Sequence, residues 1–297
     1  MIKKIITVFL VSVLFVSVFL NKTSNVQASE LKENTLRVQN NDDLKVNFNN
    51  SEKKKIANDR EKIISEIKEK TKTSNESVNT IITETLKKNT QETLNKGIQE
   101  EIQTINNDVH KSVELETNIE SETFEINKNL SVTFDDNFVI VDEFKESEER
   151  EVDENTDDLN LFTFVDNLFF DKAYAATSKK IKNASHSRSI YDTAIKNLKL
   201  VTAYIGAEFT YDGKKVTARR TGNYMKTDHV AGILIDIVDK KSAVQKPSSS
   251  RRIAYQEGSA ILGFTIKGNG LKLQEKYLRV NVESNAKGTI TKSSILR

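Results

Sequence analysis

Four basic doublets, Lys214-Lys215, Arg219-Arg220, Lys240-Lys241 and Arg251-Arg252, are the residues of this chain whose type and spacing point most directly to chemistry. Each sits beside a turn signal or the end of a β-rich run, and Lys179, Lys180 and Lys182 precede them. Neighbouring residues on a strand face opposite ways, so a doublet within a strand charges both faces, whereas one in a turn can present both charges together. Residues 176–297 hold 23 Lys+Arg against 9 Asp+Glu, a net of +14. That exceeds the magnitude of ~2–8 that keeps a small domain soluble. A surface of this kind attracts polyanions, and these eight residues are the candidate polyanion-binding set.

Groups suited to catalysis are sparse. The three histidines, His110, His186 and His229, are far apart in sequence and do not suggest a metal site. Gly258-Ser259-Ala260 lacks the second glycine of a nucleophile elbow, and neither H-E-x-x-H nor a phosphate-cradling G-x-x-x-x-G-K occurs. Within the basic half, carboxylates available for glycoside hydrolysis are few, chiefly Glu208, Asp228, Asp236, Asp239 and Glu257. No cofactor is expected, and the balance favours a binding module over an enzyme. The rival is a secreted hydrolase acting on an anionic polymer, with His186 or His229 as acid-base group. A third reading is a surface-display protein whose helices oligomerise. Tyr204, Tyr211, Tyr224, Tyr255 and Tyr277 could stack on bases or sugars, against which stands ordinary sheet packing.

The elements that must position these residues divide at a seam around 159–180. Residues 30–175 carry 34 Asp+Glu against 19 Lys+Arg, a net of −15, so two opposed halves lie behind a whole-chain charge of +2. Nine of the ten glycines and the only proline fall beyond the seam.

Residues 1–28 read as a signal peptide. Lys3 and Lys4 precede a mostly apolar run of sixteen residues, Ile5–Leu20, and Val26-Gln27-Ala28 provides a small-x-small cleavage site at Ala28. The run is shorter than the ~20 residues of a membrane-spanning helix. The protein is therefore expected to be secreted, with no covalent membrane or wall anchor. Zero cysteines exclude disulfides and thiolate metal sites. Abundant Lys, Asn and Ile without Trp or Cys suit an exported protein of a Gram-positive-like, low-GC bacterium.

Composition reads 29–51 as disordered. Residues 52–112 carry helical stripes: Ile56, Ile63, Ile64 and Ile67; Val78, Ile81, Ile82 and Leu86; Leu94, Ile98, Ile102, Ile105 and Val109. Breaks are expected at 71–77 and 88–91. Period-two alternation over 122–145, interrupted at 127–129 and 135–137, predicts a three-stranded meander. An acidic linker and an apolar patch fill 146–180, ending in Ala173-Tyr174-Ala175, a weak candidate for cleavage at Ala175. Beyond it, 181–297 predicts a basic antiparallel sandwich or small barrel, with strands signalled from Tyr191 onward and a core including Leu262, Phe264, Ile266, Leu278 and Val280. The fold class is thus α+β, multidomain, and all-β at its C-terminal end. The expected partners are an anionic cell-wall polymer or membrane surface, and the acidic region itself, acting as a masking pro-region on the basic domain.

Overall fold

The computed structural model describes residues 44–89, 91–104, 115–135, 138–152, 178–192, 198–227, 233–266 and 269–297. The proposed signal peptide, both cleavage alanines, His110, His229 and the apolar patch lie outside these residues.

Three helices follow a short strand, β1 (Leu44–Val46): α1 (Asn50–Thr73), α2 (Val78–Lys88) and α3 (Glu92–Thr104). Their caps are local. Asn49 accepts from the backbone of Ser51 and Glu52, while Glu52 accepts in return from the Asn49 amide. Ser77 accepts from the Thr80 amide at 3.1 Å to start α2. Part of the stretch that composition reads as disordered is ordered here. Val46 and Phe48 are buried against Ile56, Leu94 and Ile98, and β1 pairs in parallel with β2 (Leu115–Thr117).

The remaining strands are antiparallel. β3 (Glu122–Asn127), β4 (Leu130–Asp135) and β5 (Phe138–Glu146) are the meander. They are followed by β6 (Arg150–Glu151), β7 (Lys180–Asp192), β8 (Lys199–Tyr211) and β9 (Val216–Thr227). One sheet takes the order β3-β4-β5-β7-β8-β9, with β6 also paired to β7. A second contains β10 (Ile233–Ser248), β11 (Arg251–Ile266), β12 (Asn269–Asn285) and β13 (Ile290–Leu296) in sequence order.

The meander and the basic strands share one sheet. β5 pairs with β7 from Phe138↔Asp192 to Glu146↔Ala184, and β6 extends the contact at Arg150↔Ile181. Between the two sheets lies one apolar core, in which Phe138 and Phe144 meet Val201, Ala203, Ile205, Phe209, Leu278, Val280 and Val282. On the opposite face of the larger sheet, Ile63, Ile64 and Ile67 of α1 and Ile82 and Leu86 of α2 cover Val132, Val139, Val141 and Tyr191. The layers are therefore helix, sheet, sheet. Of the five expected core residues, Leu278 and Val280 are fully buried. The side chains of Leu262, Phe264 and Ile266 lie outside those described. Among the described residues no helix is long and apolar enough to cross a membrane.

Several strands differ from their sequence expectation. β8 and β11 are each continuous through a glycine that reads as a break. A Cβ on Gly206 would stand 2.9 Å from the Tyr204 hydroxyl oxygen, and one on Gly258 would stand 2.8 Å from Met225 Sδ, so close approach explains both residues. β7, which begins eleven residues before the first strand signal, faces the core with Ala184, His186, Arg188 and Ile190. Its apolar alternation is hidden by the two polar members, His186 and Arg188.

Candidate functional site

Three turns meet at one end of the sandwich. In the β8–β9 loop, Asp212 Oδ1 accepts from the amides of Lys214 (2.8 Å) and Lys215 (2.7 Å), and Gly213 takes φ +86°. These contacts hold a four-residue loop, 212–215, in place of the two-residue hairpin that Asp-Gly suggests. The β10–β11 turn is Ser249-Ser250. In the β12–β13 loop, Asn285 Oδ1 accepts from Lys287 and Thr289, and Gly288 has φ +78°.

Backbone hydrogen bonds join the three turns. Gly213 donates to the Ala286 carbonyl (2.9 Å), Val216 to that of Ser249 (3.1 Å), and Ala286 to that of Ser250 (2.9 Å). The Tyr211 ring lies so close against Gly288 that a Cβ there would collide with it. Tyr211 also donates to Glu149 Oε2 at 2.5 Å. Burial first, and then that carboxylate, push its hydroxyl pKa well above the ordinary value. A groove of about 490 Å³ beside these residues is lined by Lys180, Tyr211, Gly213 and Lys287, among others.

This end gathers two of the four doublets. Lys214 and Lys215 are exposed in the first loop, and Arg251 and Arg252 begin β11 directly after the second. Lys246 and Lys287, which sequence reasoning left out of the set, join them from β10 and the third loop. Only their position beside turns marked them, because nothing in the sequence says which turns adjoin. Around the border, Lys180 pairs with Glu149 (2.6 Å), Lys182 with Glu146 (2.9 Å) and Arg251 with Glu283 (2.5 Å). Arg252 donates to the Ser248 and Arg251 carbonyls. Among the described residues, Lys214, Lys215, Lys246, Arg252 and Lys287 have no carboxylate in ion-pair range.

The other two doublets lie elsewhere, where β9 meets β10. Arg219 pairs with Glu208 (3.1 Å), and Arg220 donates to the Ser242 carbonyl at 3.0 Å. Lys240 lies with Asp239 (φ +54°) in a β-bulge of β10 opposite Gly258, and Lys241 resumes the pairing at Glu257. Bulges and lysines on an outer strand prevent unwanted edge pairing, which accounts for this pair without a ligand.

His186 is sealed between the sheets at 1% exposure. Its Nε2 donates to Asp142 Oδ1 (3.0 Å) and its Nδ1 faces the Asn281 carbonyl (3.2 Å). Arg188 grips the same carboxylate through Nε (2.9 Å) and Nη2 (2.6 Å). Burial alone raises the Asp142 pKa, but the hydrogen bonds and charges of His186 and Arg188 outweigh it and hold the group at about 2. The buried ring has no route to a polymeric substrate. Among the described residues, no group of three or more His, Asp or Glu could hold a metal ion. No protein family, curated protein or solved structure matches the chain.

Proposed function

We propose that this is an exported binding protein that attaches to an extended anionic polymer of the cell-envelope type through the three-turn end. The observation that carries the reading is the backbone-locked meeting of three turns, which brings to one end of the sandwich five cations that have no carboxylate in ion-pair range among the described residues. The turn backbones are already fixed by their hydrogen bonds, so binding a polyanion orders side chains without ordering the loops. Glu146 and Glu149, from the acidic half, occupy Lys182 and Lys180 at the border. This supports an intramolecular neutralisation confined to the rim, leaving the centre free.

The test is titration of the full chain with a poly(glycerol phosphate) at increasing salt. If a phosphodiester polymer behaves as single-stranded nucleic acid does, with a slope of roughly −0.7 per neutralised phosphate, five contacts predict a log–log slope near −3 to −4. Lys214→Glu/Lys215→Glu should weaken binding at least tenfold, and Lys240→Glu/Lys241→Glu should leave it nearly unchanged. Salt-independent binding, or equal losses in the two variants, refutes the assignment. Binding to anionic vesicles without binding to the polymer would transfer the surface to a membrane.

A further inference from the structure

The outer face of the larger sheet changes character beyond the helices. Its residues run in rows across neighbouring strands. One row is Glu143, Ser187, Tyr204 and Tyr224, and the next is Lys145, Ser185, Gly206 and Gly222. The apolar contacts of α1 and α2 on this face are with β3–β5 and Tyr191, and no residue of β8 or β9 belongs to that layer. Among the described residues, the part of the face beyond the helices forms a shelf. Strands β5 and β8 stand roughly 9–10 Å apart, with β7 between them. The short side chains of Ser185 and Ser187 floor the gap.

Tyr204 and Tyr224 wall one side as a stacked pair, with centroids 4.9 Å apart and planes 14° apart. Tyr204 leans over two glycines: a Cβ on Gly206 would stand 2.9 Å from its hydroxyl oxygen, and one on Gly222 would stand 3.2 Å from its Cε1. Tyr224 is 40% exposed, the one large hydrophobic side chain so exposed among the described residues. Lys226 Nζ lies 4.9 Å from its ring centroid. The other side of the gap is the Glu143–Lys145 ion pair at 2.9 Å. The hydrogen bond and charge of Glu143 raise the Lys145 pKa, so the pair stays ionised.

We infer that this shelf binds an uncharged sugar ring of a glycan chain, packed against Tyr204 and hydrogen-bonded by Ser187, Glu143 and Lys145. The charge balance separates it from the three-turn end. Here each carboxylate is paired: Glu143 with Lys145, and Glu208 with Arg219 at 3.1 Å. With Lys226 beside Tyr224 the shelf carries one net positive charge, against five cations at the three-turn end. A sugar hydroxyl both donates and accepts, and adjacent ammonium, carboxylate and serine groups match it on both counts. The C–H face of a pyranose needs a flat apolar partner, which a tyrosine ring supplies while keeping its polar tip wet. Few polar groups around an aromatic wall are the usual make-up of a small-molecule site.

The experiment is calorimetric titration of the full chain with neutral oligosaccharides of glucose and of N-acetylglucosamine, in salt high enough to suppress the three-turn end. Saturable binding of one of them, insensitive to salt, is expected. Tyr204→Ala and Glu143→Gln should each weaken it at least tenfold, while Lys214→Glu/Lys215→Glu leaves it unchanged. Glu143→Gln alters no packed side chain, so its result stands if Tyr204→Ala folds poorly. The inference is overturned if neither sugar binds, if both shelf variants bind as the wild type does, or if binding is lost with salt and with the lysine variant. Preference for a nucleoside over both sugars also overturns it.

Discussion

Replacing Asp142 by Asn removes the one carboxylate that both Arg188 and His186 grip between the sheets. Its pKa falls from the ordinary 3.8 to about 2, and at 1.36 kcal/mol per unit the charged carboxylate is worth about 2 kcal/mol. Asn leaves a guanidinium buried without its counter-charge, and breaking a buried pair in this way costs on the order of 3–5 kcal/mol. A loss of about 2–4 kcal/mol is therefore expected at pH 7. For a chain of this size it should lower Tm by roughly 5–15 °C, at ~2–4 °C per kcal/mol. The pH dependence has a definite sign. A carboxylate with a depressed native pKa contributes fully above the unfolded value and loses that contribution as pH falls towards 2. Urea denaturation of both proteins from pH 7 to pH 2 should show a gap that is full above about pH 4 and narrows below it. Equal stability at pH 7 would refute the buried-charge account. A gap undiminished at pH 2 would assign the loss to packing.

Shared strands and crowded glycines lead to two further expected outcomes. Residues 176–297 expressed alone should fail to give a cooperative unfolding transition, because β7 loses β5 and the core loses Phe138 and Phe144; a chain cut within 153–177 should instead elute natively as one species, and separation of its fragments would refute the shared sheet. Gly288→Ala places a Cβ against the Tyr211 ring at positive φ, so a loss on the order of 1–3 kcal/mol in urea is expected, and an unchanged midpoint would show that the third turn has room.

The helices were legible because their cause is local. Leu94 and Ile98, one turn apart in the expected stripe, are both fully buried, and the breaks fall where Ser77 and Asn89 cap the chain. The meander was legible for the same reason, since Asn127 accepts from the Asn129 amide within its own turn. What stayed hidden depends on partners distant in sequence. β7 reads as polar because its inward His186 and Arg188 answer Asp142, 44 and 46 residues earlier. The reversal of net charge at the seam suggests separate bodies, yet the sheet joins them through residues on each side. For the candidate site, the doublets could be found by eye, but a doublet in a turn and one beside a bulge look alike in sequence. Only the hydrogen bonds among Gly213, Ala286, Ser250, Val216 and Ser249 sort them.

The β5–β7 pairing also sets an order of events during folding. As the chain is made, β5 emerges first and must wait for β7, whose first residue lies 34 positions beyond its last. Throughout that interval its edge, with Val139 and Val141 beside it, is an open template for any other strand. Even β7 does not complete the structure, because the core facing β5 draws on β12, close to the end of the chain. Contacts of such long sequence separation make for slow folding. The core of the sheet that begins in the acidic half is therefore completed only after β12, near the end of the chain, has been made.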